Sequence, residues 1–407
     1  MMKASRHKNL RTGKPPWEAY RTPRVLKHRL TRDIRCDVLI IGAGISGALM
    51  ADLLSAEGFQ VVIADRRGPF AGSTAANTAL ILHEIDVPLT HLIRKIGRRD
   101  AQRNWRRSFL AVHALAARTR ELGVACNFIT RDSLYLSGNI LNAPELRRER
   151  EERLTAGITT TYLTARETEE RFGISGRPGL LSYGSFEANP RALTAGYLKA
   201  AIARGTRLHA PTDVIKVEAG SRVVHAHTKD GATITCGHLV FATGYEVPAG
   251  VAADKYKIVS TYALATAPQP RRLWPERSLI WEASEPYLYL RTTTDGRAII
   301  GGEDENISDS KERDALLPQK ISAIRAKVHK LLPHLNTRAE FQWTGFFGTT
   351  ESGLPLIGEV PGMKNCWAVL GYGGNGTTFS RIAAEIVRSA LTGKSDPDAD
   401  LYAFSDR

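Results

Sequence analysis

Residues 37–67 read DVLIIGAGISGALMADLLSAEGFQVVIADRR, and this stretch decides the fold. It opens with a continuous apolar run at 38–41, which is typical of a strand covered on both faces. Closely spaced glycines follow, and leucines then recur at helical spacing. A second apolar run at 61–64 comes near the end of the stretch. The order of strand, glycine turn, helix and strand predicts an α/β fold.

Each glycine of this turn has a physical role. Gly42 allows the tight turn, Gly44 lets the backbone approach a pyrophosphate, and Gly47 lets the helix pack closely on the strand. The start of the helix offers unpaired N–H groups and the positive end of the helix dipole to phosphates. Asp65 closes the second strand, where its carboxylate can accept hydrogen bonds from a ribose. The whole pattern predicts a dinucleotide site, and the acid suits NAD and FAD equally.

A loop of small residues, GSTAANTAL at 72–80, follows the glycine turn directly. With the Asp65–Arg66 pair before it, this loop resembles that of the D-amino-acid-oxidase-type family of FAD oxidoreductases. That family includes glycine oxidase, sarcosine oxidase and amino-acid or amine dehydrogenases. The resemblance implies FAD as the cofactor, because small residues permit close approach of a flavin and their hydroxyl and amide groups satisfy its polar atoms. Arg66 and Arg67 suit either an NADP phosphate or contacts to FAD.

Three later segments extend the resemblance in the order that the family shows. They are TDVIKVE at 212–218, HLVFATGYEVP at 238–248 and GLPLIGEVPGMKNCWAVLGYGGNGTTFS at 353–380. In the last of these, a loop of glycines opens a helix that the family points at the flavin. The cofactor residues expected from the glycine turn and from the resemblance are Gly42, Ala43, Gly44, Ile45, Ser46, Gly47, Asp65, Arg66, Arg67, Gly72, Ser73, Thr74, Asn77, Thr78, Ala79, Val214, Ala242, Thr243, Gly244, Gly371, Gly373, Gly374, Asn375, Gly376 and Thr377.

The resemblance implies a discontinuous FAD-binding domain of the Rossmann-like (GR2-type) kind and a second, α+β substrate domain built on an antiparallel sheet. Two hairpins are predicted, at 223–236 and 287–302, because Asp-Gly pairs interrupt alternating strands there. The charge-dense stretch 145–153 predicts a solvated helix face. The expected division is a basic tail at 1–35, an FAD-binding domain at 36–86, 189–250 and 345–400, and a substrate domain at 87–188 and 251–344.

The charge of the chain is concentrated in the tail. Residues 1–35 hold eleven of the basic side chains against two acidic ones, so they carry most of the formal net charge of +14. Such a segment can touch nucleic acid or acidic lipid, but charge runs are more often solvated or docked locally. We therefore do not expect a nucleic-acid partner.

The remaining composition points to a cytoplasmic protein. The tail lacks the apolar core of a secretory signal, and no apolar run is long enough for a membrane span. The four cysteines lie far apart, without the spacing of a metal or redox site, as expected in a reducing compartment. No metal is expected.

Candidate substrate-site residues come from one strand and one loop. Tyr287, Tyr289 and Arg291 alternate and so share a face, and Arg291 could either clamp a carboxylate or stabilise the fold. His83 is either a covalent flavin anchor, as in some relatives, or a packed histidine, and the nearby Glu84 and Asp86 are within reach of the flavin. Tyr262, Trp343 and Tyr372 either line the cavity or fill the core. Of these residues, the catalytic candidates are Tyr289, Arg291, His83 and Tyr262.

One departure from the family bears on the substrate. Amino-acid oxidases of the family often place an arginine before the late Gly-Leu-Pro-like signature, but 343–355 reads WTGFFGTTESGLP. The segment also lacks a cysteine for a thioether to the flavin. The substrate is then an amine without a carboxylate, or one held by Arg291.

The resemblance implies oxidation of a C–N bond of an amine or amino acid, by hydride transfer to the flavin and hydrolysis of the imine. Neutral amine releases hydride most easily, so an apolar pocket would serve where no strong base is present. Two alternatives are a flavin enzyme that modifies an RNA nucleoside and a basic protein that keeps FAD only as structure.

Overall fold

A computed structural model describes residues 2–3, 7–21, 23–248, 251 and 256–404. Parts of the predicted tail, and of the boundary predicted at 250–251, fall outside these residues. The described chain folds into two β-sheets with helices packed around them. Strands and helices are numbered along the chain.

Among the described residues, nine strands form the first sheet, ordered β1-β10-β11-β12-β3-β4-β9 with β19 beside β12 and β18 beside β19. The central strands β12, β3, β4 and β9 run parallel. The fold class predicted from the sequence is confirmed, because β3, α1 and β4 follow one another as expected. The strands are β1 (Met2–Lys3), β3 (Ile34–Ile41), β4 (Val61–Ala64), β9 (Arg207–His209), β10 (Val214–Ala219), β11 (Val224–Thr228), β12 (Thr233–Phe241), β18 (Leu356–Glu359) and β19 (Cys366–Leu370).

The second sheet has ten strands within the described chain, and nearly all of its pairs are antiparallel. Its order is β2-β17-β13-β16-β15-β14-β6-β8-β5, with β7 also beside β8. Both predicted hairpins are confirmed, as β11–β12 and β15–β16. The strands are β2 (Arg11–Gly13), β5 (Leu80–Ile81), β6 (Ile129–Leu136), β7 (Thr160–Leu163), β8 (Gly179–Glu187), β13 (Lys257–Thr266), β14 (Leu279–Glu282), β15 (Leu288–Thr292), β16 (Ala298–Glu305) and β17 (Ala339–Thr349).

The helices cover the sheets. Helix α1 buries nearly its whole length between the first sheet and its neighbours α6 and α8, as its alternation of small and large apolar residues allows. Of the described helices, none is long and apolar enough to cross a membrane. The helices are α1 (Ile45–Ala56), α2 (Leu89–Ile96), α3 (Arg98–Glu121), α4 (Ala143–Thr155), α5 (Ala165–Phe172), α6 (Pro190–Ala203), α7 (Ser310–Leu331) and α8 (Gly376–Leu391).

The N-terminal arm, residues 7–21 and 23–35, docks on both sheets. Its strand β2 pairs with β17 at the edge of the second sheet. Trp17 is buried, and its indole N–H donates to the carbonyl of Asn77 at 2.8 Å. Further along, the backbone of His28 forms an isolated parallel β-bridge with His209 of β9, at the edge of the first sheet. Of the two interpretations of this segment, a docked arm therefore describes these residues.

The predicted solvation of helix α4 is wrong for its inner face. Glu149 and Arg153 are fully buried there. Glu149 accepts the N–H groups that open helix α2, at Leu89 and Thr90, and Arg153 donates to both Glu149 and Glu84. The charges are buried because each has a partner of opposite sign or a helix start to satisfy, which a pattern of charges alone does not reveal.

Candidate active site

A large cavity of about 1770 Å³, part of it open to solvent, is lined by residues of both sheets. The first sheet contributes the ends of β3, β4 and β12 and the start of β10. The second contributes alternate side chains of β13, β15 and β17. The expected cofactor residues that line it are Gly42, Gly44, Ile45, Ser46, Asp65, Arg66, Arg67, Gly72, Ser73, Thr74, Asn77, Thr78, Val214, Ala242, Thr243, Gly244, Gly373, Gly374, Asn375 and Gly376.

The glycine turn forms a cradle at the start of α1. Gly42 has φ +118°, and a Cβ there would lie 2.3 Å from the carbonyl oxygen of Ala242. A Cβ on Gly47 would lie 1.9 Å from the carbonyl oxygen of Gly42. Gly44 caps the helix with no side chain. Bare backbone with a helix N-terminus behind it is the arrangement that a diphosphate needs.

Asp65 holds the turn together from the end of β4. One oxygen accepts the N–H of Ala43 at 2.8 Å, and the other accepts those of Arg67 and Gly68 at 2.8 and 2.6 Å. The carboxylate also lines the cavity. Because each carboxylate oxygen can accept more than one hydrogen bond, Asp65 can bind a ribose without releasing the backbone.

The two arginines after Asp65 are already paired. Both bind Glu246, whose side chain is 5% exposed, and Arg67 does so through two hydrogen bonds of 2.8 and 2.6 Å. The arm completes this cluster, since the N–H of Lys8 donates to Glu246 and its carbonyl accepts from Arg67. Paired guanidinium groups are poor ligands for a further NADP phosphate, so the cluster favours the FAD alternative.

The late glycine loop closes the other end of the cavity. The N–H of Gly374 donates to the carboxylate of Asp86 at 2.6 Å, and the amide of Asn375 donates to the carbonyl of Glu84 at 2.8 Å. Asp86 itself lines the cavity. Surrounding protein raises the pKa of Asp86, and the hydrogen bond from Gly374 opposes that rise. The segment after the small-residue loop thus positions the start of α8.

Three candidate residues lie on β15 or just before it, and two of them face the cavity. Tyr287 and Tyr289 line the cavity, but Arg291 lies beyond its end. Arg291 is 3% exposed and donates to the carbonyls of Ala79 and Ala188 at 2.8 and 2.9 Å. Its guanidinium ties strands together, so of the two alternatives left open for Arg291, stabilising the fold describes its contacts.

A family model described as FAD dependent oxidoreductase matches residues 37–390 of this chain. The chain belongs to this family. The cradle, the small-residue loop and the late glycine loop meet in one cavity here. The residues present fit FAD, because Gly44 presents bare backbone at the start of α1, Asp65 lines the cavity beside it, and the cavity continues from there to the second sheet.

Curated relatives align over most of this FAD-dependent oxidoreductase. A putative Rieske 2Fe-2S iron-sulfur protein, YhfW of Bacillus subtilis, is 23% identical over 92% of this chain and 72% of its own length. The gamma-glutamylputrescine oxidoreductase of Escherichia coli is 22% identical over 90% of this chain and 86% of its own. The tRNA 5-methylaminomethyl-2-thiouridine biosynthesis bifunctional protein MnmC of Burkholderia pseudomallei is 24% identical over 92% of this chain, which spans 59% of that protein.

Among solved structures, glycine oxidase from Geobacillus kaustophilus shares the fold with a TM-score of 0.74 at 19% identity. The match covers 92% of this chain and 99% of that one. The second sheet of this oxidoreductase therefore belongs to the shared fold as well as the first.

Two further catalytic candidates do not reach the flavin cavity of this oxidoreductase. The ring of His83 is fully buried beside Phe109, with 5.2 Å between ring centroids, and burial lowers its pKa to about 4. Tyr262 lies on the opposite face of β13 from the cavity-lining Thr261 and packs under Lys320. Of the alternatives left open for His83 and Tyr262, packing describes the contacts of both side chains.

Five expected cofactor residues support the cavity without lining it. They are Ala43, Gly47, Ala79, Gly371 and Thr377. The N–H of Ala43 donates to Asp65, and the carbonyl of Ala79 accepts from Arg291, so each of the two fixes a neighbouring segment. Trp343 and Tyr372 line the cavity and also pack in the hydrophobic core, so both of their open alternatives describe them.

The sequence did not point to several lining residues. Thr212 and Asp213 precede Val214, and Tyr245 and Glu246 lie near the end of the second signature. On the second sheet, alternation along β13 and β17 would have found Thr261, Ala263, Gly345 and Phe347, once those strands were known to face the cofactor.

A second carboxyl, Asp304, lies behind the cavity wall. The β13–β16 register shifts between Ser260 and Tyr262, opposite Glu303, which has φ +56°. This bulge turns Asp304 toward Thr261 and Tyr287. Burial raises the pKa of Asp304 from 3.8 to about 6, against hydrogen bonds from those two side chains. No sequence pattern marks the bulge, so only the structure reveals this residue.

Proposed function

We propose that this oxidoreductase oxidises the C–N bond of a small amine or amino acid. The proposal depends chiefly on the continuity of the cavity. It begins at the glycine cradle and ends among Trp281, Tyr287 and Tyr289, so a small molecule in that chamber lies at the far end of the cofactor from Asp65. Relatives in the same family carry names of amine and amino-acid enzymes, which supports this substrate class.

When bound, FAD supplies the oxidation by accepting a hydride from the carbon that bears the nitrogen, and the imine released is hydrolysed by water. The protein binds and orients that carbon. Aromatic walls from Trp281, Tyr289 and Trp343 exclude water from the chamber and favour the neutral amine over the ammonium form. The hydroxyls of Tyr287 and Thr261 can hold the nitrogen by hydrogen bonds.

The test is reduction of the bound flavin. The purified protein should show the visible spectrum of an oxidised flavin, and anaerobic addition of an amine from a panel of amines and amino acids should bleach it. A flavin that dithionite bleaches but that the whole panel leaves oxidised would contradict the proposal.

The similarity to the MnmC protein favours testing RNA as a second substrate. The basic arm would supply phosphate contacts, whose binding weakens steeply with salt. A salt-dependent gel shift with tRNA, together with bleaching by that RNA, would favour this function over oxidation of a free amine. Bound FAD that neither amines nor RNA reduce would indicate a structural cofactor.

A further inference from the structure

The charges at the substrate end of the cavity are acidic. Among the described residues that line the cavity, the cations are Arg66 and Arg67, and both pair with Glu246 at the nucleotide end. The far chamber holds Asp86 in its wall and Asp304 directly behind Tyr287. A carboxylate on the substrate would meet two acidic groups and no arginine there.

The loop opposite Asp86 is shaped around its carboxyl group. A Cβ on Gly373 would lie 2.6 Å from one carboxyl oxygen, and a Cβ on Gly374 would lie 2.8 Å from the other. One backbone N–H binds the group, from Gly374. In the part of the chain that the structure describes, no arginine, lysine or histidine forms an ion pair with Asp86. The carboxylate is exposed to the cavity, so a ligand that displaces water from it has to supply a partner for its charge, and a cationic ligand would do so.

Two buried polar atoms near this chamber are poorly satisfied. Within the described chain, Oδ1 of Asp304 makes no hydrogen bond, and the hydroxyl of Tyr372 has Ser46 beside it without forming a well-aligned hydrogen bond. Tyr372 is 3% exposed and lines the cavity. Unsatisfied buried atoms are rare in folded proteins; these two have no surface open to the cavity, so they add to the polarity of its wall, and the hydrogen-bond donors of a ligand have to reach the exposed Asp86. An ammonium group has three such donors, whereas a carboxylate has none.

We propose that the substrate is a cationic amine with no carboxylate on the carbon that is oxidised, and that Asp86, with the Asp304–Tyr287 pair behind it, binds the ammonium group. This inference depends on the proposed oxidation of a C–N bond and narrows it. It also accounts for the position of Arg291 outside the chamber, because a site that binds no substrate carboxylate needs no arginine there.

The same carboxyl groups have a chemical use before oxidation. An ammonium substrate loses one proton to a carboxylate oxygen, so an N–H bond breaks, an O–H bond forms, and a neutral amine lies beside a neutral acid. The positive charge and the negative charge cancel within the chamber. The amine is then in the form that gives up hydride.

Matched pairs of compounds test the substrate class on the flavin-bound protein. Putrescine is compared with ornithine and butylamine with 2-aminopentanoate, because each pair differs by one carboxylate on the reacting carbon. Binding is followed by perturbation of the flavin spectrum and turnover by anaerobic bleaching. We expect the amines to bleach the flavin with at least tenfold higher efficiency than their carboxylated partners.

The two readouts separate this inference from the proposed function. Bleaching by the carboxylated compounds at equal or higher efficiency would overturn the inference and leave the function intact. Amines that bind more tightly than their carboxylated partners, as measured by the spectral change, but do not bleach the flavin would support the binding inference and overturn the function. Compounds that neither perturb nor bleach would overturn both.

Variants locate the ammonium site. Asp86→Asn keeps an acceptor for Gly374, so the flavin-to-protein ratio should stay at the wild-type value while the dissociation constant for the amines rises at least tenfold. Asp304→Asn provides a second variant if Asp86→Asn loses flavin, and it should weaken amine binding in the same direction. Asp230→Asn is the matched control, because Asp230 pairs with Arg29 on the surface and does not line the cavity. Wild-type amine binding in both cavity variants would overturn the proposal.

Discussion

A substitution at Gly44 should affect cofactor binding without disturbing the fold, unlike a substitution at the neighbouring glycines of the turn. Its φ of −80° suits any residue, and the nearest atom to an added Cβ is the hydroxyl of Thr74 at 3.0 Å. At Gly42 and Gly47 the added atom would meet backbone. Backbone cannot move aside without disturbing the sheet, whereas a threonine side chain can rotate.

Gly44→Ala is therefore expected to fold and to bind FAD at least tenfold more weakly. The methyl group occupies space in the cradle, while the strands and helix around it keep their contacts. Flavin fluorescence titration measures the affinity, and circular dichroism checks the fold. Gly47→Ala is the contrast, since it should lower the melting temperature as well. Wild-type affinity in Gly44→Ala would mean that the diphosphate lies elsewhere.

Asp304 should give the apoprotein a measurable dependence of stability on pH. Its folded pKa of about 6 lies above the unfolded value near 3.8, so between these values the folded state binds more protons. The contribution of Asp304 to the free energy of unfolding is then greatest at low pH and falls as the pH rises from about 4 to 6. The total loss is at most about 3 kcal/mol for a shift of two units.

Asp304→Asn removes this titration. Urea unfolding at pH 4.5 and pH 7 should show that the variant gains stability relative to wild type at the higher pH. An equal difference between the two proteins at both pH values would show that Asp304 is not buried in its charged form.

At the scale of elements, the period of a strand predicts which residues share a face but not which face meets the cavity. Tyr287 and Tyr289 were found from their alternation. Tyr262 stays open between cavity and core at the level of sequence, since nothing in the sequence of β13 fixes its orientation; the structure places it in the core. The orientation of Asp304 depends on a bulge, and the burial of Glu149 depends on the N–H groups that open a distant helix. Local motifs with their own chemistry, such as the glycine turn, were predictable because their function resides in contiguous backbone.

The N-terminal arm is an element that the family match does not include, since that match begins at residue 37. The arm nevertheless supplies Leu10 to the cavity wall and Lys8 to the Glu246 cluster. Trp17 anchors it, with the guanidinium of Arg291 5.3 Å from its ring centroid. A basic segment outside the family match thereby contributes to the cavity wall.

Trp17→Ala should release the arm and cost about 3–5 kcal/mol, the usual range for a buried tryptophan. Limited trypsin digestion should then cleave within 7–35 under conditions that leave the wild type intact. FAD should also dissociate faster, because the arm no longer covers Glu246 and its arginines. Tyr183→Ala, which removes an exposed aromatic side chain, is the control. An arm that resists trypsin in Trp17→Ala would show that β2 alone holds it.

At the scale of the whole molecule, the cofactor cavity is the space that both sheets share, so FAD should stabilise the entire chain. A ligand that binds only the folded state at 100 times its dissociation constant adds about 2.7 kcal/mol. We expect removal of FAD to lower the melting temperature by a few degrees and its return to restore it. Hydrogen exchange should show faster exchange in strands of both sheets, including β13 and β17, in the apoprotein. Exchange that changes only in the first sheet would mean that the second sheet folds independently of the cofactor and serves the substrate alone.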